Sequence, residues 1–129
     1  MELITIIQSL NKLLFELTLI FIFLDIITGY LQAAANKCLS SNIMRQGFWH
    51  KLAFIFAILL AGLVDITANA GVNLGFSMPL FECACGYTIL MEITSILENI
   101  KKMNPQLADS KLLKLLDTKK NGGEDDESE

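Results

Sequence analysis

The sequence predicts an all-α integral membrane protein: three transmembrane helices, a short cytoplasmic amphipathic helix and a disordered acidic tail. Three observations carry that prediction. Of the 129 residues 53% are hydrophobic and only 19% charged, against about 25% charged in an ordinary soluble domain. Mean hydropathy is +0.49, more than a soluble chain of this size can bury. The charge that exists is segregated: five of the 14 acids fall in the last six residues, and residues 1–120 alone carry 10 basic against 9 acidic groups, a formal +1 rather than -4. The acidic pI therefore belongs to a tail, and no basic face is large enough to release counterions from nucleic acid.

The first apolar stretch, residues 13–35, is long enough to cross a hydrocarbon core of roughly 30 Å. Ala33-Ala34-Ala35 has the look of a signal-peptidase site, but the run is too long for a signal h-region, lacks a basic flank and contains Glu16 and Asp25, so it is read as a span. The second span is placed at 52–71. The third, at 74–97, is the least apolar, with Pro79, Glu82 and Glu92, residues that a helix packed on two others tolerates better than one facing lipid. Residues 1–102 thus form a membrane domain and 103–129 a cytoplasmic segment. In that segment Asn104 serves as N-cap and Pro105 as first helical residue, and Leu107, Leu112, Leu113, Leu115 and Leu116 form an apolar face for an anionic leaflet.

Orientation follows from the loops. Lys37, Arg45 and Lys51 are assigned to the first loop as topology residues, and Lys101, Lys102 and four further lysines follow the third span, whereas the second loop is uncharged. Positive residues stay in the cytoplasm. Three spans with the N-terminus outside and the C-terminus inside satisfy both basic segments.

Enzymatic chemistry has no foothold. The single His50 cannot serve a Ser/His/Asp set, there is no phosphate-binding glycine loop, and Cys38, Cys83 and Cys85 make neither a disulfide framework nor a zinc site. No catalytic residue, cofactor, metal or small-molecule substrate is expected. Function is sought instead in the polar residues of the spans, since an acid at mid-helix costs roughly 2.5–3.5 kcal/mol to insert. Thr18, Asp25 and Gln32 share one face of the first span, with Thr28 and Gly29 beside them. Gly62, Asp65 and Asn69 share a face of the second. In the third, Thr88, Glu92, Ser95 and Asn99 form one stripe, and Gly75, Pro79, Glu82 and Gly86 another. Small and polar residues can simply glue the helices of one chain together. The alternative is that three helices are too few to hide four acids, so that the stripes meet other protomers and, eventually, water.

The ordered set Asp25-Ile26-Ile27-Thr28-Gly29, Lys37-Cys38-Leu39-Ser40-Ser41, Gly47 four before Lys51, Asp65, and Glu92-Ile93-Thr94-Ser95-Ile96-Leu97-Glu98-Asn99 resembles the toxin-secretion/phage-lysis holin family across residues 24–102. A Pro-x-Pro usual in that family before the terminal helix is here reduced to Pro105. The resemblance implies a homo-oligomer in the bacterial cytoplasmic membrane that opens nonselective lesions, releasing a cytoplasmic endolysin or exporting a toxin. A small oligomeric transporter or proton channel using Asp25 or Glu82 is the reading from another class.

Overall fold

A computed structural model describes residues 2–75, 78–111 and 114. It consists of helices α1 (Glu2–Ala35), α2 (Ser41–Asn69) and α3 (Leu80–Met103), followed by the short α4 (Pro105–Ala108). All three long helices are long and apolar enough to cross a membrane, over Gln8–Ala35, Ser41–Asn69 and Leu80–Met103. At about 1.5 Å per residue even α3 exceeds the roughly 30 Å hydrocarbon core. Helix boundaries differ from the sequence-based spans in physical ways. α2 begins at Ser41 rather than 52, because nothing between Ser41 and Lys51 breaks a helix. α3 begins at Leu80 rather than 74, because Pro79 lacks an N–H to continue a helix backward and Gly75 sits at φ +79°.

The helix ends obey backbone chemistry. α2 closes with Gly71 at φ +95°, where the N–H groups of Gly71 and Val72 donate to the carbonyls of Ala68 and Thr67. α1 closes in the same paired pattern, Lys37 and Cys38 donating to Ala34 and Ala33, but the left-handed position is held by Lys37 at φ 54° where glycine is usual. At α4 the expected cap is present: the Asn104 side chain accepts a hydrogen bond from the Gln106 N–H at 3.2 Å, with Pro105 in the first turn. The remaining leucine face and the acidic tail expected from 112 onward lie outside the described residues, Lys114 excepted.

α1 and α3 run parallel. Phe15 meets Phe81 near one end, with ring centroids 6.3 Å apart, and Asn36 reaches the Lys102 carbonyl at the other. This pair forms the main helix contact; α2 returns antiparallel, packs on α3 and touches α1 at few places. The inward positions recur every seven residues, as in a supercoiled bundle. Thr18 and Asp25 on α1, Ile58 on α2, and Cys85 and Glu92 on α3 are buried, with Lys51 and Asp65 continuing the α2 stripe and Asn99 the α3 stripe. Ile22, Thr88 and Ile96 are buried beside them, and many of the large apolar side chains point outward, Phe23, Leu60 and Leu90 being more than 60% exposed. An apolar exterior around a polar seam is the arrangement a bilayer rewards, because lipid leaves large apolar side chains no reason to turn inward.

α2 crosses α3 closely at Gly62, where a Cβ would stand 3.2 Å from Cδ2 of Phe81. Gly62→Ala should therefore change the stability of the purified chain in mixed micelles by less than about 1 kcal/mol, the ring giving way slightly, while Gly62→Leu should cost about 1–3 kcal/mol by overpacking. Reversible detergent titration followed by circular dichroism reads both. Equal stability for the two variants would mean that α2 and α3 do not interlock there.

Candidate functional site: a polar cluster across three helices

The polar seam concentrates at one level of the bundle. Lys51 of α2 places its Nζ 2.6 Å from Oδ2 of Asp25 on α1 and 2.5 Å from Oε2 of Glu92 on α3. One ammonium thus joins all three helices. The side chains are 13%, 7% and 3% exposed respectively, so the group is almost wholly covered by protein, with Asp25 and Lys51 bordering the cavity that Ser95 also lines. Asn99, one heptad beyond Glu92, donates from Nδ2 to Oδ1 of Asp25 at 3.0 Å and to Oγ1 of Thr28 at 3.2 Å. Thr28 in turn donates to the Asp25 carbonyl at 3.1 Å. Gly29 lies against this group: a Cβ there would stand 3.5 Å from Asn99 Nδ2, an ordinary contact distance. No buried side-chain nitrogen or oxygen among the described residues lacks a partner.

Depth gives the cluster its significance. Asp25 lies ten residues before the end of α1 and Lys51 ten after the start of α2, or about 15 Å from that end of the bundle. That places all three charged side chains inside the helix lengths that are long and apolar enough to cross a membrane. An ionised group here is expensive alone and acceptable when paired. Two carboxylates on one ammonium leave the cluster with a net negative charge when all three are ionised, and the Asn99 amide serves the spare lone pairs of Asp25.

The other predicted residues separate. Asp65 does not join the cluster. Its carboxylate accepts hydrogen bonds from the N–H groups of Leu80 at 3.1 Å and Phe81 at 2.7 Å, capping α3 from a neighbouring helix. Pro79 in the N-cap position has no side-chain acceptor, so Asp65 supplies what an Asp or Ser at the cap would have supplied. Glu82 and Asn69 line a cavity of about 730 Å³ beside Asp65, at the end opposite the basic residues. Ser95 lines a second cavity of about 370 Å³ between α1 and the start of α2, together with Gln32, Met44 and Lys102. Lys37 is exposed in the α1–α2 turn, and Arg45 is exposed on α2, bonded to Asn42 Oδ1 at 2.9 Å.

Two assignments change weight. Lys51, read from sequence as a loop residue, is the cation at the centre of the seam. Of the four acids expected to need other protomers, one chain buries Asp25 and Glu92 and engages Asp65, while Glu82 stays half-buried at the edge of a cavity. The signal for Lys51 was in the sequence: Lys51, Ile58 and Asp65 are spaced by sevens, in phase with the face already recognised around Asp65. Among the described residues no three His, Cys, Asp or Glu side chains converge as a metal site.

The cluster makes an asymmetric prediction. Lys51→Met removes one charge but strands two carboxylates, so it should destabilise the folded chain in micelles by about 3–5 kcal/mol, whereas the combined Lys51→Met, Asp25→Asn, Glu92→Gln chain should regain most of that loss. Detergent titration measures both, and a triple variant as unstable as the single one would show that the three side chains do not act as a unit.

Comparison with known proteins agrees with this architecture. The sequence matches the bacteriophage holin family over residues 3–121. It is 30% identical over 95 residues, 74% of this chain, to the uncharacterized protein YqxH of Bacillus subtilis (strain 168). That match spans 64% of the relative's length. No solved structure matches the chain. With the family match covering nearly the whole sequence and three membrane-length helices arranged around a polar seam, this multi-pass membrane protein belongs to the bacteriophage holin family.

Proposed function

We propose that this chain acts as a holin: copies accumulate in the bacterial cytoplasmic membrane, assemble with one another and open nonselective lesions through which a cytoplasmic endolysin, or a toxin, leaves. The observation that carries the reading is the Asp25–Lys51–Glu92 cluster, buried between three membrane-length helices of a family member whose large apolar side chains mostly point outward. As long as the ammonium and the two carboxylates stay paired inside each protomer, the membrane stays sealed. If the helices part within a dense assembly, the same groups face water, which solvates them and stabilises a lesion once one has formed. Loss of the membrane potential changes the energy of these charges by a fraction of the ~2.3 kcal/mol per 100 mV that a full crossing of one charge is worth, and shifts the balance between the two states.

Orientation belongs to the same proposal. The contact of Asn36 with the Lys102 carbonyl gathers Lys37, Lys101 and Lys102 at one end of the bundle, while the connection from Ala70 to Pro79 at the other end carries no charge. The basic end is placed in the cytoplasm, next to anionic lipid, with the N-terminus outside.

Two measurements test these statements. In a bacterium carrying a cytoplasmic endolysin, induction should give a quiet interval, then an abrupt collapse of membrane potential and endolysin-dependent lysis; graded flux without such lysis would favour a transporter or proton channel. With Cys83 and Cys85 replaced by Ser, the exposed Cys38 should resist a membrane-impermeant thiol reagent in intact cells and react in inverted vesicles. Labelling from outside overturns the orientation.

A further inference from the structure

α2 is fastened differently from its neighbours. From Phe15 onward α1 meets α3 along the length of α3, through Phe15 and Phe81, Thr18 and Cys85, Asp25 and Asn99, and Asn36 and Lys102. α2 buries Ile58 alone, and its first ten residues, Ser41 to His50, are exposed. A cavity opens at each of its ends, one beside Lys51 and one beside Asp65. Its polar ties to the other helices are Lys51, held by Asp25 and Glu92, and Asp65, holding the first N–H groups of α3. These ties stand fourteen residues apart with Ile58 midway, on one stripe.

We infer that α2 is the moving element of the lesion: it leaves a persistent α1–α3 pair when the Lys51 and Asp65 ties break, and the uncovered α1–α3 face, bearing Asp25, Glu92 and Ser95, is what meets water. The inference rests on the holin reading above and says which helix moves. The physical ground is that helix association in lipid has no hydrophobic driving force and depends on packing and polar contacts. α1 and α3 have both along their length, whereas α2 has a single line of packing and two polar ties. Asp65 also releases more than itself, because its departure strips the cap from α3 at the end where Pro79 provides none.

Two cross-links distinguish the helices. With Cys38 and Cys83 replaced by Ser, Thr18→Cys sets a thiol beside native Cys85 and ties α1 to α3. With Cys38 and Cys83 replaced by Ser and Cys85 by Ala, Gly62→Cys with Phe81→Cys ties α2 to α3. The full-length chains, oxidised or reduced, are reconstituted into vesicles of phosphatidylethanolamine and phosphatidylglycerol loaded with fluorescent dextran, and disulfide formation is read by mass. The inference requires loss of dextran release on closing the α2–α3 bond, its return on reduction, and unchanged release with the α1–α3 bond closed. Release with α2 locked, or loss of release with α1 and α3 locked, overturns it. Failure of the reduced, unlocked chains to release dextran at all counts against the holin reading itself, and so against the inference. Spin labels at lipid-facing positions give a reading that needs no lock: in a cysteine-free background with Phe23→Cys as the common site, the distance to Leu60→Cys on α2 should lengthen on release while that to Leu90→Cys on α3 holds. The opposite pattern overturns the inference.

Discussion

One ammonium group buried between three membrane-length helices sets the terms for the rest of this molecule. Lys51 lies between Asp25 and Glu92, and each of the three helices contributes one member of the group. In water such a contact would add little, since exposed ion pairs contribute about 0–1 kcal/mol. Away from water the comparison is between paired charges and stranded ones, and the stranded state is the costly one. The helices consequently have a fixed register: sliding any of them by one turn, about 5.4 Å, would pull its charge out of reach of the other two.

This constraint explains why so little else is buried. A soluble three-helix bundle depends on a continuous apolar core, with water driving the leucines and phenylalanines inward. Here those residues lie outside, and the interior is a column of threonine, cysteine, isoleucine, carboxylate and carboxamide. Thr18 and Thr88 donate to the carbonyls of Leu14 and Ala84 in their own helices, at 2.8 Å each, and so bring polar atoms inward without needing a partner across the interface. The seam is thus fully satisfied and thin at once. A protein that must be stable when inserted and then rearrange without unfolding is served by such a seam, because its helices retain their backbone hydrogen bonds while their mutual contacts change.

The two acids of greatest interest have different tasks. Asp25 belongs to the charge cluster, and Asn99, itself bonded to Thr28, occupies Oδ1 and leaves Oδ2 to the lysine. Asp65 serves the backbone of another helix, making the start of α3 dependent on the position of α2. Sequence reasoning grouped them as equivalent intramembrane acids, since each shares a helix face with small and polar neighbours. Their difference arises from the residue each meets across the interface: a long cationic side chain in one case, and the N–H groups of Leu80 and Phe81 beside a proline in the other.

Much of this protein was determined by its sequence alone. Membrane insertion follows from apolar stretches long enough to cross a bilayer, and the face of each helix that avoids lipid follows from the angular position of residues such as Thr18, Asp25, Glu92 and Asn99, both properties being local to a helix. The cap at Asn104 was equally legible, because capping is a matter of a few adjacent residues. Tertiary structure decided which stripes meet. The partnership of Lys51 with Asp25 and Glu92 joins positions 26 and 41 residues apart, and no one-dimensional pattern states that three faces converge at one depth. Hydropathy also hid the lysine, since a window that starts a span at its first uncharged residue turns a cation inside a helix into the edge of a loop. The distinction is physical: insertion depends on each segment's own transfer free energy, whereas pairing depends on the depth and angle at which separate segments present their charges to one another.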